Sequence, residues 1–170
     1  MRYQTPFEQI IVPAHINYLP ELRKFIARLA IKYRFSKSET NALTISVDEA
    51  CTNIIKHGYQ DRPVGSITMN VQIKKDRVEV ELIDYGISFD PNLVTDPNLS
   101  HYVQSGKKGG LGIFIMKKFL DEIHYVTAGQ KNILRLIKFR QDGSVRPFLI
   151  PLTAAFRRLK ARFFPIRSMK

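Results

Sequence analysis

At 170 residues, 44% hydrophobic and 25% charged, the chain has the ordinary composition of one globular domain with a single core. A lone cysteine, Cys51, excludes an internal disulfide, and neither the opening MRYQTPFEQI nor the uncharged run 147–156 has the apolar length of a signal peptide or membrane span, so a cytoplasmic location is expected. The net charge of +12 suggests nucleic acid until its placement is seen: residues 143–170 hold seven of the 27 Lys and Arg and none of the 15 Asp and Glu. The rest is mildly basic, and no direct nucleic-acid contact is expected of it.

Phe7 to Val12 reads as a short strand. Leu19 to Arg34 then carries Leu22, Phe25, Ile26, Leu29, Ala30 and Tyr33 at helical spacing, with Pro20 tolerated in the first turn. Ser36 and Glu39 form the pattern of a capping box, which predicts a second helix with Leu43, Val47, Ala50, Cys51, Ile54 and Ile55 on its apolar side and Gly58 as its C-terminal cap. Ile67, Met69, Val71 and Ile73 alternate, as do Val78, Val80 and Leu82, predicting an antiparallel hairpin around 74–77. Residues 85–110, rich in Gly, Asn, Asp, Ser and Pro, predict a long loop of the kind that binds ligands or closes over them. Gly112 to Leu120 reads as a third helix, and Ile123–Thr127 with Ile133–Phe139 as a second hairpin. This order predicts an α/β (α+β) sandwich, a mixed, mostly antiparallel sheet with helices on one face.

Glu49, Asn53 and His57 share one stripe of the second helix. The amide oxygen of Asn53 is a hard, neutral ligand suited to Mg²⁺, and Glu49 could orient an attacking hydroxyl or take its proton. His57 suits the helix C-terminus, where the dipole favours positive charge. Asp84 closes a strand before Tyr85-Gly86; its carboxylate could accept from an exocyclic amine such as adenine N6, and Gly86 would let a flat ring approach the backbone. Gly106-Lys-Lys-Gly-Gly-Leu-Gly112 runs straight into the third helix, where backbone N–H groups favour phosphate and Lys107 and Lys108 add charge. It is neither a Walker A loop nor a dinucleotide fingerprint. Singly, each piece is the pattern of a solvated helix face or an ordinary turn. Their order along one small domain carries the weight.

With those residues in view, the chain resembles the GHKL, or Bergerat-fold, ATPase superfamily, and within it the anti-sigma-factor serine kinases. Asp48 to Gly58 resembles the N box, Asp84 to Pro91 the first glycine box and Gly109 to Met116 the second, so the resemblance spans roughly residues 5–140. It implies a Bergerat ATP-binding fold over residues 1–142, followed by a basic amphipathic C-terminal extension, 143–170. It implies ATP and Mg²⁺, with Glu49 as general base, Asn53 on the metal, Asp84 and Gly86 at adenine, and Lys107, Lys108, Gly109, Gly110, Leu111, Gly112 and Asn132 toward the phosphates. The partners implied are an anti-anti-sigma-type antagonist protein, phosphorylated on serine, and a sigma factor, with the kinase a homodimer. A non-catalytic nucleotide-gated binding module of the same fold is the alternative. Three departures stand out: Ser88 lies where relatives often have glycine, Lys131-Asn132 where they often have Gly-Thr, and the basic tail after about residue 142 has no counterpart in the pattern. The extension interleaves Phe148, Leu149, Phe156, Phe163 and Phe164 with arginines, as a helix docking on the domain, a partner or a membrane surface would.

Overall fold

In the computed structural model, residues 6–62, 64–88 and 111–141 are described. Strand β1 (Phe7–Pro13) passes through a short 3-10 turn (Ile16–Tyr18) into α1 (Leu19–Lys32). Helix α2 (Lys37–Asn53) continues as a π turn (Ile54–Gly58). Strands β2 (Ser66–Ile73) and β3 (Arg77–Asp84) form the first hairpin; α3 (Gly112–Phe119) precedes the second, β4 (Glu122–Ala128) and β5 (Lys131–Phe139). All the described elements belong to one compact unit.

The five strands run in the order β1-β2-β3-β5-β4, and all four pairings are antiparallel. Period-2 alternation puts Ile67, Met69, Val71, Val78, Val80, Leu82, Leu134 and Leu136 on one face. That face packs on Leu22, Ile26 and Leu29 of α1, Leu43, Val47 and Ala50 of α2, and Met116 of α3 in a single buried cluster. Each large aliphatic side chain so buried contributes roughly 1.5–3 kcal/mol. The helices therefore lie on one face of the sheet, and the site forms where α2 and α3 meet the ends of β3 and β5. Among the described residues no helix is long and apolar enough to cross a membrane.

Helix boundaries follow chemistry that the sequence only partly displays. The capping box is present as expected: Ser36 N–H donates to Glu39, and Glu39 N–H donates to the Ser36 hydroxyl. Helix α1 stops two residues short of its expected end because Arg34 takes a left-handed conformation (φ 60). Phe35 N–H then bonds Ala30 O and Arg34 N–H bonds Ile31 O, a Schellman closure built without glycine. Arg140, from beyond β5, supports it: its guanidinium donates to Tyr33 O and Arg34 O and stacks 4.1 Å from the Phe35 ring. Gly58, expected to cap α2, does not do so. It is the last residue of the π turn, closed by Tyr59 N–H to Ile54 O, and the left-handed residues beyond it are Gln60 and Asp61. The second hairpin turns at Gly129 (φ 63), the position where such a turn requires positive φ.

Candidate functional site

Glu49 and Asn53 lie one turn apart on the last stretch of α2, half-buried, where the helix widens into its π turn. His57, expected on the same stripe, is exposed. Glu49 has no hydrogen bond or ion pair among the described residues. Burial first, then the neighbouring negative charge of Asp48, raises its carboxyl above the ordinary glutamate value, with Lys56 opposing. Asp48 itself turns away to an ion pair with Arg23 at 2.6 Å. Across from these residues, α3 begins at Gly112. A Cβ placed there would lie 2.5 Å from Glu49 Oε2 and 3.5 Å from Asn53 Nδ2. The missing side chain of Gly112 is thus what lets α3 close on the two polar groups of α2, and the structure brings these three expected residues together.

The second polar corner forms at the end of β3. Asp84 is 5% exposed. Its Oδ1 accepts from Gly86 N–H at 2.8 Å and from Asn132 Nδ2 at 3.0 Å, while Oδ2 has no partner among the described residues. Burial raises the Asp84 carboxyl above the usual aspartate value, and the Asn132 amide and Gly86 N–H pull against that. Gly86 turns out to serve chain packing: an added Cβ would sit 2.6 Å from the carbonyl carbon and oxygen of Gly58, and Ile87 N–H donates to Gly58 O at 2.8 Å. Tyr59 braces the same corner, donating to Ser66 O and accepting from Tyr85 N–H.

Asn132, expected toward the phosphates, sits at this corner instead. It is 2% exposed, and its amide is committed at both ends: Nδ2 to Asp84 and to Gly86 O, Oδ1 to the hydroxyls of Ser88 and Tyr125. The register explains the placement, since Asn132 is the direct cross-strand partner of Asp84. Tyr125 was not singled out from the sequence. Its position on the inner side of β4, opposite Leu134, was available from the alternation of the strand.

Asn53, Asp84 and Asn132 supply polar groups to a cleft whose apolar walls include Ile54, Ile87, Met116 and Leu134. Apolar walls with a few fixed polar groups are the usual form of a small-molecule site. A buried carboxylate with one free oxygen at its base suits a flat ring carrying an exocyclic N–H donor. Among the described residues no group of three or more His, Cys, Asp or Glu side chains comes together. Mg²⁺ needs none, because it takes one or two protein oxygens and completes its shell with phosphate and water. The Asn53 amide beside the side-chain-free start of α3 fits that use. Leu111 is buried at the start of α3. Lys107, Lys108, Gly109 and Gly110 lie outside the described residues, as does the 143–170 extension.

The site can be set beside known proteins. A model of the family described as histidine kinase-like ATPase domain matches residues 12–138. The serine-protein kinase RsbW of Bacillus subtilis is 30% identical over 157 residues, covering 87% of this chain and 98% of that protein. The protein of the same name from Bacillus cereus is 31% identical over 138 residues, 79% of this chain and 85% of its own. Among solved structures, the RsbU and RsbW domains of a Mycobacterium tuberculosis protein match with a TM-score of 0.57 at 17% identity, over 82% of this chain. The match spans 34% of that longer chain, and at this identity it speaks for the fold alone.

Proposed function

Because this chain belongs to the histidine kinase-like ATPase domain family, we propose that it binds ATP with Mg²⁺ in the cleft between α2, α3 and the sheet, and phosphorylates a serine on a small antagonist protein. The observation that carries this reading is the meeting of Glu49, Asn53 and Gly112 at one end of a cleft whose other end is Asp84. Asp84 Oδ2 accepts from the adenine amine, and the apolar walls cover the ring. The start of α3 faces the phosphates with its backbone N–H groups. Asn53 would hold Mg²⁺, which when bound would neutralise phosphate charge. Glu49 takes the proton from the serine hydroxyl as its oxygen forms the new bond to the γ-phosphorus. The bond from that phosphorus to the β–γ bridging oxygen breaks, and ADP leaves with the electron pair. The raised carboxyl of Glu49 brings the base closer to working pH than an exposed glutamate would be.

The relatives' names speak of serine-protein kinases. For this chain, the finer role follows from the resemblance of its three motifs: residues 1–142 act as the kinase domain, pairing as a homodimer, and bind either the antagonist or a sigma factor. The basic extension 143–170 is an added contact for a partner or a membrane surface. Two measurements test the core of this. Calorimetry should find ADP binding that strengthens with Mg²⁺, and γ-labelled ATP should transfer label to a serine of the antagonist protein. Nucleotide binding without transfer to any antagonist protein would leave a nucleotide-gated binding module; no nucleotide binding at all would end the proposal.

A further inference from the structure

Building on the adenine-nucleotide reading above, we infer that Asn132 is a positioning and specificity-determining residue: held by Ser88 and Tyr125, it occupies one oxygen of Asp84 and leaves the other open to a ligand, so the site selects a purine with an exocyclic amine over one with a carbonyl. Four bonds carry this. Ser88 Oγ donates to Asn132 Oδ1 at 2.8 Å and Tyr125 OH donates to the same oxygen at 3.1 Å. On the other side, Asn132 Nδ2 donates to Asp84 Oδ1 and to Gly86 O, each at 3.0 Å. An amide has two donors and two acceptor sites, and here all four are used. The Asp84 carboxylate and the Gly86 carbonyl, which only accept, decide that the amide's N–H end faces them, and the two hydroxyls hold its oxygen. Reversed, the amide oxygen would meet a carboxylate and a carbonyl, with no proton between them.

The consequence for recognition follows from the state of Asp84. A carboxylate only accepts, so it pairs with an amine; a carboxylic acid can also donate, so it pairs with a carbonyl. Asp84 is buried, and burial works to protonate it. Asn132 Nδ2 and Gly86 N–H are its two donors, and only Asn132 is a side chain that substitution can remove. Ser88 and Asn132, two of the positions at which this chain departs from the pattern it resembles, are bonded to each other across 44 residues of sequence. They act as one unit: Ser88 holds the amide, and the amide fixes the carboxylate.

The test compares magnesium-dependent binding of ADP with that of inosine diphosphate, which carries a carbonyl where adenine has its amine. Wild type should prefer ADP. Asn132→Ala should lower that preference about 10-fold or more, and Ser88→Ala, at an exposed position that does not threaten folding, about 2- to 10-fold. The double variant should be no worse than Asn132→Ala, because Ser88 acts only through the amide. Asn132→Thr, which keeps one donor, should recover part of the preference. If the single variants weaken both nucleotides equally and the ratio stands, Asn132 only supports the fold and the inference is overturned. If wild type binds neither nucleotide, the adenine-nucleotide reading itself fails and takes this inference with it.

Discussion

The two ends of the cleft are built on opposite plans. At the Asp84 end, the side-chain polar atoms of Asp84, Ser88, Tyr125 and Asn132 are all committed but Asp84 Oδ2, which has no partner among the described residues, and the loop is pressed backbone to backbone against Gly58. At the Glu49 end, a half-buried carboxylate stands without a hydrogen bond among the described residues, facing a glycine. On the function proposed above, recognition is preformed, while the catalytic end keeps an acid that the fold would rather protonate. Fixed donors define a ligand's orientation, whereas a base must be free to take a proton. The difference teaches that the same side-chain type, a carboxylate raised by burial, is tied down at the end proposed to read a base and left loose at the end proposed to react.

The sharpest way to break this comparison is to neutralise each carboxylate in turn. Glu49→Gln should lower phosphate transfer by roughly 10²–10⁴-fold while leaving ADP affinity nearly intact. Asp84→Asn should do the reverse, weakening ADP by roughly 10- to 100-fold through a mispaired buried group. Single-turnover transfer and calorimetry on the two variants would check this. If both variants lost binding equally, the two ends would not be separate in function.

The two glycines give a second, smaller contrast. Gly86→Ala drives its Cβ into the Gly58 backbone at 2.6 Å, and neither chain can step aside, so overpacking should cost about 1–3 kcal/mol and lower the melting temperature. Gly112→Ala meets Glu49 Oε2 at 2.5 Å, the far end of a flexible side chain. Glu49 can rotate away, so stability should hardly change while transfer falls. Melting curves and transfer rates measured together separate the cases. Equal melting losses in both would show that α3 is as rigidly seated as the loop at Gly86.

The element order, both hairpins, the capping box and the residues of α2 and β3 that meet in the cleft were legible in the sequence, because period and capping chemistry are local. The rest was set by contacts no local pattern contains. Arg34 stops α1 although nothing about arginine signals a left-handed residue; the reason is Arg140, 106 positions away. Gly58 looked like a cap because glycine after a helix usually is one, yet the π turn runs through it. Asn132 was set toward the phosphates by the resemblance alone, and what no local pattern showed is that the register of β3 with β5 sets it opposite Asp84. Register depends on the pairing of strands 48 residues apart and cannot be counted along one of them.

The smallest expected effect concerns stability and pH. Folding raises the Glu49 carboxyl, so the folded chain binds a proton there more tightly than the unfolded chain. That favours the fold below the ordinary glutamate value and is lost as pH rises through the raised one, so at neutral pH ionised Glu49 weighs against folding. Glu49→Gln removes the charge but keeps the shape. It should therefore melt above wild type at neutral pH, and the gap should close as the pH falls into the range where wild-type Glu49 is protonated. Other groups titrate in both proteins and cancel in the difference. Melting curves of the pair across that range give the sign directly. A gap that stayed constant, or opened toward acid, would mean that Glu49 has a stabilising partner, and the catalytic end would be as tied down as the end that reads the base.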